Sequence, residues 1–112
     1  MDRWSVFVIP EAEREIRSLP ADMQARFLRI SSLLEDFGPQ RVSAPHVRHL
    51  GDKLWEMRLT GRDGIARAIY FATSGRRLIV VHAFVKKTQK TPKGDLDVAR
   101  QRMRNWDDDT KS

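Results

Sequence analysis

The sequence predicts an α+β fold: an antiparallel sheet with a helical hairpin on one face and a C-terminal helix elsewhere. Three observations carry this. Residues 53–85 hold three strand-like runs separated by short turns, residues 10–37 hold two runs of helical spacing, and a last helical run follows Pro92. A layer of helices on a sheet lets both bury their apolar faces. The predicted order is β-α-α-β-β-β-α.

Each element has a local reason. Trp4-Ser5-Val6-Phe7-Val8-Ile9 is β-branched and aromatic, which predicts a strand that Pro10 ends. Pro10 suits the first turn of a helix, and Glu11 and Glu13 favour its positive end. Ala12, Ile16 and Leu19 then share one helical face before Pro20 stops it. Met23, Phe27, Ile30, Leu34 and Phe37 form the stripe of a longer helix, closed by Gly38-Pro39. Residues 39–52 are polar and mixed, and read as a loop anchored by Val47 and Leu50.

Residues 53–60 alternate, with Trp55, Met57 and Leu59 on one face and Leu54, Glu56 and Arg58 on the other. Gly61-Arg62-Asp63-Gly64 reads as a hairpin turn in which Asp-Gly supplies positive φ. Residues 65–72 and 78–85 are the next strands, the latter so continuously apolar that it should be central and covered on both faces. Thr91 and Pro92 read as an N-cap and a first-turn proline. The final helix carries Leu96, Ala99, Met103 and Trp106, with Arg100, Arg102 and Arg104 mostly turned away. Residues 107–112, which open with Asp107-Asp108-Asp109, read as a frayed acidic tail, leaving one domain over residues 1–106.

Composition bounds the function. The 112 residues suit one domain, and with no cysteine there is no disulfide, thiolate nucleophile or cysteine-bound zinc. The longest apolar stretch, residues 78–85, is far short of a membrane span, and no signal-like leader precedes Pro10. A cytoplasmic protein is the expectation. Net charge is +6, but residues 58–104 alone hold 12 basic and 3 acidic groups. Such a region attracts a polyanion, although a solvated basic surface explains the charge alone equally well.

His46, His49 and His82 have no carboxylate pair at ligand spacing, so no metal is expected, and no glycine-rich loop joins a strand to a helix. What remains is a set of strand cations. Arg58 and Arg67 are mid-strand, and Lys86 and Lys87 end the apolar strand. An unpaired buried cation is costly, so each needs a partner. One solution is a structural ion pair, for example Glu56 with Arg67 across the hairpin. The other is a shared groove for a phosphodiester, where the cations stabilise charge that builds during cleavage. His82, placed by alternation with Val80, Phe84 and Lys86, is either a hydrogen-bonded core residue or a proton-transfer group.

Leu54-Trp55-Glu56-Met57-Arg58, Ile65-Ala66-Arg67-Ala68-Ile69-Tyr70 and the run from His82-Ala83-Phe84-Val85-Lys86-Lys87 through Thr88-Gln89-Lys90-Thr91-Pro92 resemble the RelE/ParE toxin superfamily. The phage-derived, HigB-like branch is the nearest. The resemblance covers nearly the whole chain and implies a RelE-like toxin of a type II toxin–antitoxin pair. Its best-known members cleave messenger RNA in the ribosome without metal or cofactor, the 2′-hydroxyl attacking the adjacent phosphate. Carried over, the catalytic cations are Arg58, Arg67, Lys86 and Lys87. Arg67 then serves the scissile phosphate, Lys87 the developing charge and Arg58 the 2′-hydroxyl, with Arg62, Lys90 and Lys93 as further substrate-binding cations. Some members carry a tyrosine or histidine near the C-terminus. Arg104-Asn105-Trp106 stands there instead, so the leaving-group acid is unassigned, His82 and Lys86 being candidates. The implied partners are ribosome, mRNA and an antitoxin, a helix-turn-helix protein from the adjacent gene, with no membrane. ParE-like members instead bind DNA gyrase without cutting RNA, and an inactive phage-derived binding module is a third possibility.

Overall fold

The structure, a computed structural model, describes residues 3–86 and 90–111, with side chains of the last helix described through Trp106. Its elements are β1 (Ser5–Val8), α1 (Pro10–Arg17), α2 (Ala21–Phe37), β2 (Val47–Gly51), β3 (Leu54–Gly61), β4 (Gly64–Thr73), β5 (Arg77–Lys86) and α3 (Lys93–Lys111). No helix among the described residues is long and apolar enough to cross a membrane.

The α+β class and the two-helix hairpin are as the periodicity predicts. Pro10 opens α1 with Glu11 and Glu13 in its first turn, and Ala12, Ile16 and Leu19 are buried. On α2, Met23, Phe27, Ile30 and Leu34 are buried, while Phe37 on the last turn is half exposed. Gly38 then adopts φ 82°, and its N–H bonds the Leu34 carbonyl.

The sheet is mixed rather than purely antiparallel. Its order is β1-β5-β4-β3-β2, and β1 runs parallel to β5. Short turns force antiparallel pairing on β3, β4 and β5, but β1 reaches the sheet through a long connection that permits either direction. The predicted loop over residues 39–52 contains β2, antiparallel to β3. As an edge strand β2 buries only Val47 fully, and Arg48 and His49 are exposed, so no alternation marks it. Left-handed turns also lie at the hairpins on either side of the one that Asp-Gly suggests, Gly75 and Arg76 taking φ of 79° and 56° between β4 and β5. Asp52 and Lys53 take φ of 50° and 72°, whereas between β3 and β4 positive φ falls on Gly64 alone.

The most consequential irregularity is a bulge in β5. Tyr70 faces Val80 and Ile69 faces His82, which leaves Val81 as the extra residue. Side-chain alternation therefore changes phase there. Leu78 and Val80 join the core beneath α1 and α2 with Met57, Leu59, Ala66, Ala68 and Tyr70. His82, Phe84 and Lys86 move to the opposite face, away from Val80, contrary to simple alternation. On that face Ala99, Met103 and Trp106 of α3 pack with Leu54, Ile69, Phe71, Ile79 and Val81. Both faces are thus covered, by the hairpin and by α3.

The start of α3 also differs from expectation. Thr91 is not its N-cap: the helix begins at Lys93, and the Leu96 N–H bonds the Pro92 carbonyl. The Thr91 hydroxyl donates instead to Glu56 Oε1 at 2.7 Å.

Candidate functional site: a cation face beside the last helix

The face of the sheet that carries α3 continues past its apolar patch into a charged end. Cross-strand pairing sets Arg48 of β2 opposite Glu56 of β3, Arg58 of β3 opposite Arg67 of β4, and Ile65 of β4 opposite Lys86 of β5. Opposed residues share a face, and residues two apart on a strand share it too. Arg48, Arg58, Arg67 and Lys86 therefore meet on one surface. Arg58 is exposed, Lys86 half-buried and Arg67 buried. Lys86 reaches this face only because of the bulge at Val81.

Glu56, 1% exposed, stands at the centre. Its Oε2 pairs with the Arg67 guanidinium. Its Oε1 accepts the Thr91 hydroxyl and lies 3.4 Å from Arg48 Nη2. The structural ion pair expected across the hairpin is thus present, and it accounts for a buried Arg67. It does not discharge the face, because among the described residues Arg48, Arg58, Arg67 and Lys86 share it with Glu56. The Lys86 pKa is lowered, by burial first and then by Arg67, Arg58 and Arg48 in that order. The Arg67 pKa is lowered by burial and by Arg48. Beside the cations is a cavity of about 120 Å³ lined by Ala44, Pro45, Val47, Arg48, Glu56, Arg58 and Arg67.

The remaining expected site residues divide. Lys87 lies outside the described residues. Lys90 and Lys93 are exposed on either side of Thr91, and so border the cation face. Arg62 is exposed on the turn between β3 and β4, roughly 13 Å along the strand from Arg58 at 3.3 Å per residue. That turn is fixed to the hairpin layer, since the Arg62 N–H donates to Asp22 Oδ2 at 2.5 Å.

His82 shares this face with Lys86 but is closed off from its charged end. Its Nδ1 is 3.1 Å from both oxygens of Glu15 on α1, and its Nε2 is 2.7 Å from Asp95 Oδ1 on α3. With both ring nitrogens occupied, it ties α1 and α3 to β5, and neither nitrogen is left to serve a substrate. Arg102 shares this network and is not turned away. Its Nη1 donates to Glu15 Oε1 at 2.8 Å and to the Val81 carbonyl at 3.0 Å, satisfying the bulge. Burial raises the Glu15 pKa, but the hydrogen bonds from Arg102 and the Ala83 N–H, together with His82, outweigh it and leave the pKa lowered. Tyr70, the single tyrosine, is buried in the other core, where burial pushes its pKa up. Among the described residues no group of three or more His, Asp or Glu side chains is arranged to hold a metal ion.

Sequence reasoning gives Arg48 and Thr91 no part in the site and treats Glu56 only as an ion-pair partner. Glu56 has a signal of its own: a carboxylate two residues from Arg58, on the same face of a strand with a buried opposite side. Nothing local marks Thr91, because its partner is 35 residues away.

The fold has solved counterparts. The toxin RelE of E. coli, a double mutant in the free state, matches with a TM-score of 0.64 and 16% identity, over 90% of this chain and 98% of that one. The archaeal RelE–RelB complex from Pyrococcus horikoshii matches at 0.56 and 22% identity, over 75% of this chain and 96% of that one. The toxin–antitoxin complex RelBE2 from Mycobacterium tuberculosis matches at 0.56 and 13%, over 76% and 100%. These likenesses establish a RelE-type fold. No curated protein sequence matches the chain. The family described as "Phage derived protein Gp49-like (DUF891)" matches residues 14–104, which hold the second half of α1, all of α2, the sheet from β2 to β5, the cations of its charged face and most of α3. The chain belongs to this phage-derived, Gp49-like family.

Proposed function

We propose that this protein is the toxin of a type II toxin–antitoxin pair and acts as a ribosome-dependent, metal-independent mRNA endoribonuclease. One observation carries the reading: a RelE-type sheet presents Arg48, Arg58, Arg67 and Lys86 on one face, next to a small cavity. Such a surface suits an RNA backbone. In the reaction the 2′-oxygen forms a bond to the adjacent phosphorus and the bond to the 5′-oxygen breaks, giving a cyclic phosphate and a 5′-hydroxyl. Because Arg67 is buried and paired with Glu56, exposed Arg58 takes over from it the grip on the phosphate oxygens. Arg67, opposite Arg58 in the register, adds positive potential as charge builds. Lys86, on the same face as Arg67, gives a proton to the departing 5′-oxygen, which its lowered pKa eases, and the 2′-hydroxyl proton passes to water. Lys87 is retained for the developing charge, and Lys90 and Lys93 for the flanking backbone.

The partner is assigned by analogy. Two of the structural counterparts are complexes of a RelE-type chain with its antitoxin. We assign this protein a cognate antitoxin encoded beside it, a helix-turn-helix protein, and a cytoplasmic site of action on ribosome and mRNA. The domain is taken to run from residue 1 to the end of α3, which continues through the acidic run to Lys111 where the sequence predicts a frayed tail. Induced expression tests the reading. Translation should stop within minutes, with cleaved mRNA, and co-expression of the neighbouring gene should restore growth. Double-strand DNA breaks with continuing translation would move the assignment to gyrase binding. No effect on either would make the protein a binding module.

A further inference from the structure

We propose that Glu56 is a positioning residue, setting the strand cations and the segment that leads into α3 in one geometry by using its two carboxylate oxygens on different elements. The inference rests on the RNA-cleavage reading of this face and concerns a residue to which that reading gives no role. Burying a carboxylate at 1% exposure is costly unless it is paired with a cation and hydrogen-bonded. Oε2 is taken by Arg67 of β4. Oε1 has two partners of unequal strength: the Thr91 hydroxyl at 2.7 Å and Arg48 of β2 at 3.4 Å. The short bond is the one to Thr91, which belongs neither to the sheet nor to α3. One buried group therefore joins β2, β3, β4 and the chain after β5.

The consequence concerns Lys90 and Lys93. They flank Thr91 and are exposed, so their distance from Arg58 depends on where Thr91 is held. A second fixed point comes directly after, where the Leu96 N–H bonds the Pro92 carbonyl at 3.1 Å. The same geometry rules Glu56 out as the acceptor of the 2′-hydroxyl proton. Both oxygens are engaged and the side chain is closed to solvent. Glu56 acts through the residues it holds.

The test uses the full chain and removes the hydroxyl alone. Thr91→Val keeps the shape and leaves the Glu56–Arg67 pair intact, and Thr91→Ser restores the donor. In cleavage of mRNA on programmed ribosomes, Thr91→Val should lower kcat/KM by about tenfold or more, and Thr91→Ser should recover it. Amide hydrogen exchange should quicken over residues 90–96 in Thr91→Val, with the sheet still protected. Wild-type kcat/KM in Thr91→Val, unchanged exchange, or no rescue by serine would overturn the proposal. If the wild-type protein cleaves nothing, the cleavage reading fails by itself. Exchange then decides the tether: faster exchange confined to residues 90–96 and reversed by serine sustains it, and unchanged exchange ends it.

Discussion

Replacing Arg67 separates two roles that this residue combines. Its side chain is 5% exposed and pairs with Glu56, itself 1% exposed. The sequence leaves two readings of Arg67 open, a groove-facing cation and half of an ion pair with Glu56. The structure shows the pair, so Arg67→Ala tests the fold as well as the site. Removing one partner of a buried pair strands the other, at a cost of about 3–5 kcal/mol. In a domain of this size each kcal/mol moves Tm by roughly 4 °C, so the loss should be ~12–20 °C. Arg58 is the control, directly opposite Arg67 in the register but exposed. Arg58→Ala should shift Tm by only about 2 °C, since exposed substitutions stay within ~0.5 kcal/mol. Its effect should fall on RNA cleavage, about 10²-fold, as for one lost charge-stabilising donor. Thermal unfolding followed by far-UV circular dichroism, with cleavage measured well below each variant's Tm, gives both quantities. An Arg67→Ala protein melting within about 2 °C of wild type would refute the buried-pair argument. Full cleavage by a folded Arg58→Ala protein would refute the catalytic one.

A Cβ at Gly61 would lie 2.8 Å from both Asp22 Oδ1 and Met23 Cγ, so Gly61→Ala should prise α2 from the β3–β4 turn and cost about 1–3 kcal/mol in urea unfolding. Because folding lowers the Glu15 pKa, its contribution is fully present above the ordinary value near 4.5 and lost as pH falls through the lower folded value. Glu15→Gln should therefore be less stable than wild type at pH 7 and show a shallower acid limb, as read by denaturant midpoints from pH 7 to 3. RNA affinity should fall log-linearly with salt, with a slope of roughly −2 if three cations neutralise phosphates at about 0.7 each, and Arg58→Ala should flatten it; a slope near zero in filter binding would remove the electrostatic argument.

What the sequence determines by itself is local. The 3.6-residue stripes of α1 and α2, bounded by Pro10 and Gly38, and the alternation of β3 with its short turns are properties of neighbouring residues. So is the oddity of Arg58 and Arg67 in apolar strands, which marks the face without giving its geometry. Tertiary structure decided what depends on distant partners. β2 has one buried side chain and becomes a strand only because β3 offers it an edge. β1 takes its direction from the free edge of β5. The bulge at Val81, satisfied by Arg102 from α3, turns His82 and Lys86 to the other face. With it His82 meets Glu15 and Asp95, and Lys86 meets the arginines. Glu56 is held by Thr91, and Arg102 reaches Glu15 across 87 residues. Periodicity reports which side of an element is apolar, whereas a hydrogen bond between remote side chains leaves no periodic trace. The cations are therefore written in the chain, and their common face exists only once a one-residue shift in β5 and a buried carboxylate have set it.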